Sequence, residues 1–206
     1  MGVEVISAVL ETGKRERAKA QNRDAILEAA RQVFAELGYE TTSVRDIIRR
    51  TDLASGTFYN YFKSKEEVYH ALHDDGIQRF RPMLRAARDG AKDFEAFVRA
   101  AYLAYFRYCA TDGAPRFVRM QDPAWTQVRF DTPETRALFD ELKTYLVDFL
   151  ASEGLGAVDP DYFTAGCMGV AERLAERMMA RTDTGPEDAA DFATAYTMGG
   201  LKGVST

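Results

Sequence analysis

Apolar residues recur with helical spacing along almost the whole chain, and this constrains the fold more than any other feature. In the first strongly periodic stretch they fall at i, i+4, i+7, i+8 and i+11, on one helix face. These residues are Ile26, Ala30, Val33, Phe34 and Leu37. Gly38 follows them and supplies a left-handed stop. Later stretches repeat the same period, so the sequence predicts an all-α fold of about nine helices.

Two short helices are predicted directly after this stretch. Ser43 and Asp46 have the three-residue spacing of a capping box. The helix that they begin has its apolar side formed by Val44, Ile47 and Ile48. Residues 51–54 are too few for anything but a tight turn, and a second short helix is expected from Ser55 to about Tyr61. This order is that of a helix-turn-helix, in which one helix braces the DNA backbone and the next enters the major groove.

Longer helices are predicted for the rest of the chain. Ser64 and Glu67 form a second capping box that begins a fourth helix, which we expect to be bent or broken at Pro82. Asp159 and Pro160 are a typical helix start. The remaining helices are expected at about residues 94–109, 115–125, 132–152, 159–181 and 184–203.

The second short helix has an unusual polar side. Phe58 and Phe62 are four residues apart and can anchor one face in a core. The outward residues are then Ser55, Thr57, Tyr59, Asn60 and Tyr61. Hydroxyls and an amide without acids suit phosphate oxygens and base edges. Because most helical hairpins never meet DNA, it is these side chains that favour DNA binding, more than the geometry.

Residues 42–47 (TSVRDI) and 55–66 (SGTFYNYFKSKE) resemble the TetR family of bacterial repressors. The resemblance covers about residues 21–81, and the remainder is similar only in helical plan and length. It implies phosphate contacts from Arg45, Tyr59, Tyr61 and Lys65, and positions at or near bases for Ser55, Gly56, Thr57 and Asn60.

Two residues depart from the family pattern. Asp52 stands where the family favours glycine in the turn, although Asp tolerates a left-handed backbone better than most residues. Ala54 stands where Ser or Thr usually caps the recognition helix. That helix therefore frays at its start unless Ser55 compensates. Both departures bear on DNA affinity.

The charge is unevenly distributed. Residues 1–65 hold eleven Lys and Arg against nine Asp and Glu, whereas the rest of the chain carries a net −7. A basic end on an acidic body suits a DNA-binding protein, although chance asymmetry explains the charge equally well. A basic N-terminal arm at residues 1–20 continues to Arg23; its cations are Lys14, Arg15, Arg17, Lys19 and Arg23. It follows DNA or is a disordered, solvated tail.

Aromatic residues are dense in the middle of the chain. Most must be core, but the resemblance implies a pocket among these helices for a modest apolar or aromatic ligand. The candidate pocket residues are Tyr102, Tyr105, Phe106, Trp125 and Phe139. A carboxylate would require one of four arginines to point inward, namely Arg107, Arg116, Arg119 or Arg129.

The last two helices carry small residues, and the resemblance implies that they form a four-helix bundle with a second copy. The candidate interface residues are Val170, Leu174, Met178, Tyr196, Gly199 and Gly200. A two-fold dimer would place two recognition helices about one DNA turn apart, roughly 34–36 Å or a little wider.

Other classes of protein are disfavoured. His70 and His73 lie beside Asp74 and Asp75, but this is more typical of a solvated helix face than of a metal site. No phosphate-binding loop or nucleophile motif is present, so we expect no enzyme, no cofactor and no metal. Two distant cysteines, Cys109 and Cys167, behave as small hydrophobes unless they form one disulfide. Without a signal peptide or membrane span, a cytoplasmic location is expected.

The sequence therefore predicts three regions: an arm at 1–20, a DNA-binding domain at 21–81 with the helix-turn-helix at about 44–63, and a ligand-binding and dimerisation domain at 82–206. The function expected is that of a homodimeric repressor on a palindromic double-stranded operator, released by a small molecule. The alternative is a ligand-carrying or enzymatic helical protein whose head no longer binds DNA.

Overall fold

The computed structural model describes residues 2–111, 132–154 and 157–204, with side chains from residue 13 onward. These ranges contain eight helices and no strand, which confirms the all-α prediction. The helices are α1 (Gly2–Leu37), α2 (Val44–Arg49), α3 (Ser55–Tyr59), α4 (Lys65–Asp89), α5 (Phe94–Ala110), α6 (Pro133–Glu153), α7 (Pro160–Met179) and α8 (Pro186–Val204). The helix predicted at 115–125 lies outside the described residues.

The chain divides into two compact units, Met1–Leu72 and His73–Thr206. The sequence had placed the end of the DNA-binding domain at residue 81, inside α4. Helix α4 contributes its first turns to the first unit and the remainder to the second. No helix in the described ranges combines the length and apolarity needed to span a bilayer.

The first unit is organised around buried residues from each of its helices. Helices α1 and α2 pack against each other. The largest side chains in this core are Ile26, Phe34, Ile47, Phe58, Phe62, Val68, Tyr69 and Leu72. Tyr39 lies among them, with its ring centroid 5.6 Å from that of Phe34 and 5.1 Å from that of Tyr69. Because α2 and α3 are far too short to be stable in isolation, this burial holds them.

The predicted helix boundaries of this unit are largely confirmed. Ser43 and Asp46 form the capping box in both directions, and Gly38 has a φ of 88°. At the start of α4, Ser64 Oγ accepts from the backbone N–H of Glu67 at 3.3 Å. The Glu67 carboxylate accepts from the N–H of Lys63 at 2.7 Å, one residue before the position expected for a capping box.

The structure differs from one sequence expectation here, on Leu37, and bears on two others. Leu37, expected on the buried stripe of α1, is 49% exposed because the helix ends there and the chain turns away at Gly38. Asp52 needs no left-handed backbone, since no residue other than glycine has a positive φ in the described ranges. Helix α4 is not broken at Pro82 but continues to Asp89. The predicted N-terminal arm is part of α1, and its residues 13–20 are exposed.

The second unit packs α5 against α7 and α8, with α6 against α7. Side-chain caps fix three of its helix starts: Asp93 for α5, Thr132 for α6 and Asp159 for α7. Its core is built from α4 to α8; the large buried members are Ile77, Phe80, Leu84, Phe97, Tyr102, Phe106, Leu138 and Met178. A smaller adjoining cluster contains Leu146, Leu150, Val158 and Leu201.

A charged network joins the C-terminal part of α4 to α6. Arg81 and Arg85 both donate to the Glu141 carboxylate, with closest distances of 2.7 Å, and Tyr145 donates to it at 2.8 Å. The Glu141 side chain is only 11% exposed. Hydrogen bonds from Arg85, then Arg81 and Tyr145, lower the pKa of Glu141 from 4.5 to about 2. These bonds tie α4, on both sides of Pro82, to α6.

We expect Glu141→Gln to reduce the free energy of unfolding by about 2 kcal/mol at neutral pH, because hydrogen bonds to a charged group are lost. Since the folded pKa lies below the unfolded value, the Glu141 contribution is complete above about pH 4.5 and declines as the pH falls toward 2. Denaturant unfolding of both proteins from pH 7 to pH 3 should therefore show the difference between them shrinking with acid.

Asp148→Asn is the matched control. It removes an exposed carboxylate of α6 that lies 3.8 Å from Arg88 of α4, so its effect should be a few tenths of a kcal/mol at most. Equal effects of the two substitutions, or a difference that is constant with pH, would contradict the role assigned to Glu141.

Candidate functional site

Helix α3 turns a buried aromatic face inward and a polar face outward. Phe58 and Phe62 are 1% and 5% exposed, as their spacing predicted. Ser55, Gly56 and Asn60 are exposed, while Thr57 and Tyr61 are half-buried. Tyr59 is 57% exposed, with its ring against the edge of Phe58 at 5.4 Å. Most of the polar residues predicted for DNA contact thus lie in α3 and the two residues that follow it, whereas Arg45 lies on α2 and Lys65 begins α4. The first residue of α3 follows Ala54, which provides no side-chain cap.

Tyr61 and Lys65 make contacts that the sequence did not predict. Asn22 Nδ2 of α1 donates to the Tyr61 hydroxyl at 3.4 Å, which leaves the hydroxyl proton of Tyr61 free to point outward. Lys65 Nζ donates to the carbonyls of Tyr39 and Glu40 at 2.9 and 3.2 Å and lies 4.4 Å from the centre of the Tyr39 ring. An ammonium has three donors, so Lys65 retains one for a phosphate.

Further cations lie on the same unit. Arg45 is exposed on α2, as expected for a residue that reaches phosphate. The basic residues at 14–19 are exposed on α1, and Arg23 lies over the ring of Phe62 at 5.6 Å. By contrast Arg50 is paired with Glu36 and cannot be counted as a free cation.

The second unit contains a cavity of about 200 Å³. It is lined by α4, α5, α6 and α7, and most of its wall is apolar. The large apolar and aromatic residues of the wall are Ile77, Phe80, Leu84, Phe94, Phe97, Tyr102, Tyr105, Tyr108, Leu138, Leu142, Leu146, Phe163 and Met168. A cavity of this size exceeds the 150 Å³ that admits benzene and is smaller than typical drug-sized sites, which begin at roughly 300 Å³.

The predicted pocket residues fall into three groups. Tyr102 and Tyr105 line the cavity. Phe106 is fully buried beside them, stacked on Tyr102 at 5.9 Å, and is core with no part in the lining. Phe139, on α6, does not line it either and lies under the ammonium of Lys143 at 5.3 Å. Trp125 lies outside the described residues, as do Arg116, Arg119 and Arg129.

Arg107 does not point into the cavity. It is exposed and donates to Glu187 of α8 at 2.7 Å, so it cannot hold a carboxylate inside. Among the described residues that line the cavity, none is a lysine or an arginine.

The wall also carries polar groups, of which Cys167, Thr164 and His73 were missed by sequence reasoning. Tyr102 is satisfied by Thr197 at 2.7 Å and by the carbonyl of Cys167 at 3.3 Å, and burial raises its pKa. Burial also raises the pKa of the Cys167 thiol. Thr164 Oγ1 and His73 Nδ1 are buried without a hydrogen-bond partner in the described part of the chain. Their separation along the sequence, on α7 and α4, left no local signal by which they could have been found.

Helices α7 and α8 present an exposed stripe. On α8, Phe192 and Tyr196 are stacked at 6.4 Å and are 60% and 63% exposed. Gly199, Gly200 and Gly203 continue that stripe at helical spacing, and a Cβ added to any of them would meet nothing within 4 Å. On α7, the 81% exposed Tyr162 is followed at the same spacing by Gly166 and Gly169, which are equally open. The open glycines and exposed rings leave both helices able to approach another surface closely.

The predicted interface residues agree only partly with this stripe. Tyr196, Gly199 and Gly200 lie on it. Val170 and Leu174 are half-buried against the core, and Met178 is 6% exposed and belongs to the core. Phe192 and Tyr162 were missed, although Phe192 is four residues before Tyr196 and could have been found from that spacing.

The described residues contain no group of three or more potential metal ligands. His73, expected on a solvated face, is half-buried in the cavity wall. Both cysteines are free thiols, and each lines the cavity.

Comparison with known proteins gives consistent results. Residues 26–72 match the model of the family described as "Bacterial regulatory proteins, tetR family". The transcriptional repressor KstR2 of Rhodococcus jostii is 33% identical over 88 residues, which are 41% of this chain and 43% of KstR2. The transcriptional regulator RutR of Escherichia coli is 29% identical over 162 residues, 75% of this chain and 74% of RutR. The chain thus spans less than half of KstR2 and about three quarters of RutR.

Solved structures share the fold over nearly the whole chain. The fatty acid degradation regulator FadR from Bacillus halodurans has a TM-score of 0.72 at 22% identity, covering 88% of this chain and 96% of FadR. FadR from Bacillus subtilis, solved with stearoyl-CoA, has a TM-score of 0.69 at 17% identity, with coverages of 85% and 97%. RolR, solved with resorcinol, has a TM-score of 0.64 at 19% identity, with coverages of 93% and 96%.

KstR2 and RutR are regulators of transcription, which agrees with the prediction that the chain is not an enzyme. The family match falls on the part of the chain that holds α2, α3 and their buried anchors. The resemblance to the TetR family of bacterial regulatory proteins is therefore confirmed for residues 26–72.

Proposed function

We propose that this protein is a transcriptional repressor that binds a palindromic double-stranded operator as a homodimer and is released by a small apolar or aromatic molecule. One observation carries the DNA-binding part. Buried Phe58 and Phe62 fix α3 in the core, so that Tyr59, Asn60 and their neighbours form an outward face without an acid, within the segment that matches the family model.

The roles on DNA follow from side-chain chemistry. Tyr59 and Tyr61 donate to phosphate oxygens, and Arg45 and Lys65 neutralise the backbone, all independently of sequence. Ser55, Thr57 and Asn60 lie near base edges, where an amide can pair with adenine through both of its groups. Gly56 has no Cβ, so the backbone of α3 can approach the DNA closely there. Exposed Lys14, Arg15, Arg17 and Lys19 add further phosphate contacts.

Homodimerisation through the stripe on α7 and α8 is the second part of the proposal. Tyr162, Phe192 and Tyr196 are large and well exposed, and Phe192 and Tyr196 are stacked on each other, which is typical of an interaction surface. Open glycines beside them allow a second copy to approach closely. A two-fold axis through this stripe would pair the two recognition helices with the two halves of a palindrome.

Release by a ligand is the third part. The cavity is bounded by α4, and α4 also supplies Val68, Tyr69 and Leu72 to the core of the first unit. A ligand can weaken DNA binding only by differential affinity for two states, and α4 is the element through which occupancy of the cavity would be transmitted. That RolR and FadR were solved with resorcinol and stearoyl-CoA supports a ligand in this fold.

We expect Tyr59→Phe and Tyr61→Phe each to weaken binding to specific and random DNA alike, by roughly tenfold, because a bond to a charged phosphate is lost. Asn60→Ala should instead relax base preference, at a cost of about 1–3 kcal/mol if it reads a base. Fluorescence anisotropy on an operator selected from random DNA, with scrambled DNA for comparison, measures both effects.

Ser152→Ala is the control, since it removes an exposed hydroxyl of α6 that lies outside the polar face of α3, the cavity wall and the stripe on α7 and α8, and it should leave DNA affinity unchanged. Thermal melts of all four variants should match that of the parent protein. Unaltered DNA binding in the three α3 variants, with normal melts, would contradict the assignment of α3 as the recognition helix.

Replacing Gly199 or Gly200 with Leu should convert the dimer to a monomer and abolish operator binding together. The open space at both positions means that the isolated subunit tolerates the side chain, so the loss reports on the interface alone. Sedimentation velocity at micromolar concentration gives the oligomeric state. Gly13→Leu, at an equally open glycine of α1, is the control and should remain dimeric. A monomeric variant that binds a palindrome normally would refute this interface.

A further inference from the structure

We propose that the cavity selects a neutral, single-ring molecule that carries a hydroxyl group, a phenol by class, and that Thr164 recognises the hydroxyl. This proposal specifies the ligand of the regulator proposed above. It rests on that function only for the claim that a ligand in the cavity controls DNA binding. Size, charge and an unsatisfied polar group in the wall each support it.

The volume sets the size of the ligand. About 200 Å³ accommodates one ring with a small substituent, and a long acyl chain would exceed it. Rings line much of the wall, and two of them, Phe80 and Tyr105, lie edge-on to each other at 5.5 Å. Aromatic side chains in such edge-to-face arrangements favour a flat aromatic guest.

The charge of the wall excludes an anion. The described lining residues include the acid Glu172 and one imidazole, His73, but neither lysine nor arginine. A carboxylate or phosphate placed among these residues would be desolvated without a fixed counter-charge, at a large energetic cost. A neutral ligand avoids this cost.

The unsatisfied group defines the polar end of the ligand. Thr164 is 3% exposed, lines the cavity, and its Oγ1 has no partner among the residues that the structure describes. A buried hydroxyl in this state costs free energy that a bound partner can recover. Threonine occupies two χ1 rotamers in helices, so a single rotation reorients the hydroxyl.

A second polar atom favours the same chemistry. His73 Nδ1 also lacks a hydrogen bond within the described ranges, with Asp74 Oδ1 at 3.8 Å, and His73 lines the cavity from α4. An imidazole nitrogen is a donor or an acceptor according to its tautomer, and a threonine hydroxyl is both. A ligand hydroxyl, which also donates and accepts, matches either group whichever proton arrangement is adopted.

The test compares three probes of similar size: phenol, toluene and benzoate. Calorimetry and thermal melts should give binding of phenol to the full-length protein, weaker binding of toluene, and none of benzoate. Thr164→Val keeps the shape but removes the hydroxyl, so it should weaken phenol roughly fivefold and leave toluene unchanged or tighter.

Thr194→Val is the control for Thr164→Val, and Ala104→Leu is the control for a second test variant, Ala101→Leu. Thr194→Val removes an equally buried hydroxyl of α8 that is bonded to the carbonyl of Ala190 at 2.7 Å and does not line the cavity, so phenol affinity should persist. Ala101 lines the cavity, so Ala101→Leu should block the binding of both phenol and toluene. Ala104, on the same helix, is outside the lining, so Ala104→Leu should leave both affinities unchanged.

Equal affinities for phenol and toluene, unaffected by Thr164→Val, would overturn recognition of the hydroxyl. Tight binding of benzoate would overturn the charge argument, and no binding of any ring would overturn the proposal as a whole. Adding phenol to the protein–operator complex separates this inference from the proposed function. If phenol binds in the predicted manner but DNA is not released, the ligand class stands and ligand-controlled release fails.

Discussion

The burial of Phe58 and Phe62 is the interaction on which the DNA-binding head depends. Helix α3 has five residues and no side-chain cap, so the helix has little stability of its own. Its geometry is imposed by the two phenylalanines, with ring centroids 6.2 Å apart, in a core that α1 and α4 complete. The same anchoring explains why Tyr59 and Asn60 must face outward. The burial of Phe58 and Phe62 therefore determines both the geometry of α3 and its proposed role in recognition. The polar face points outward because the opposite, aromatic face is fixed in the core.

Local signals in the sequence were sufficient for the elements and for those helix ends that neighbouring residues determine. The Ser43–Asp46 box and the stop at Gly38 were predicted because both depend on neighbouring backbone groups. Pro82 does not break α4. The proline removes one backbone hydrogen bond, but packing on either side of it holds the helix. Phe80 and Leu84 are buried around it, and distant Glu141 binds Arg81 and Arg85 on either side of it.

The candidate sites were predictable to different degrees for the same reason. The α3 face lies within eight consecutive residues and follows from helical period alone. The cavity draws on four helices, so aromatic density suggested it without separating wall from core: Tyr102 lines it, and the adjacent Phe106 does not. Thr164 could not be singled out, because being unpartnered is a property of tertiary packing. Phe192 was within reach, since its i+4 partner Tyr196 had been identified.

Helix α4 unites these observations, because its residues serve both units. Near the division between them lies Gly76, where a Cβ would come within 3.0 Å of the Tyr108 hydroxyl. Glycine inside a helix costs roughly 1 kcal/mol relative to alanine, so its presence there needs a compensating reason. Here the missing side chain admits Tyr108, itself part of the cavity wall, against the helix backbone. The wall of the cavity therefore contacts the backbone of α4 directly at Gly76.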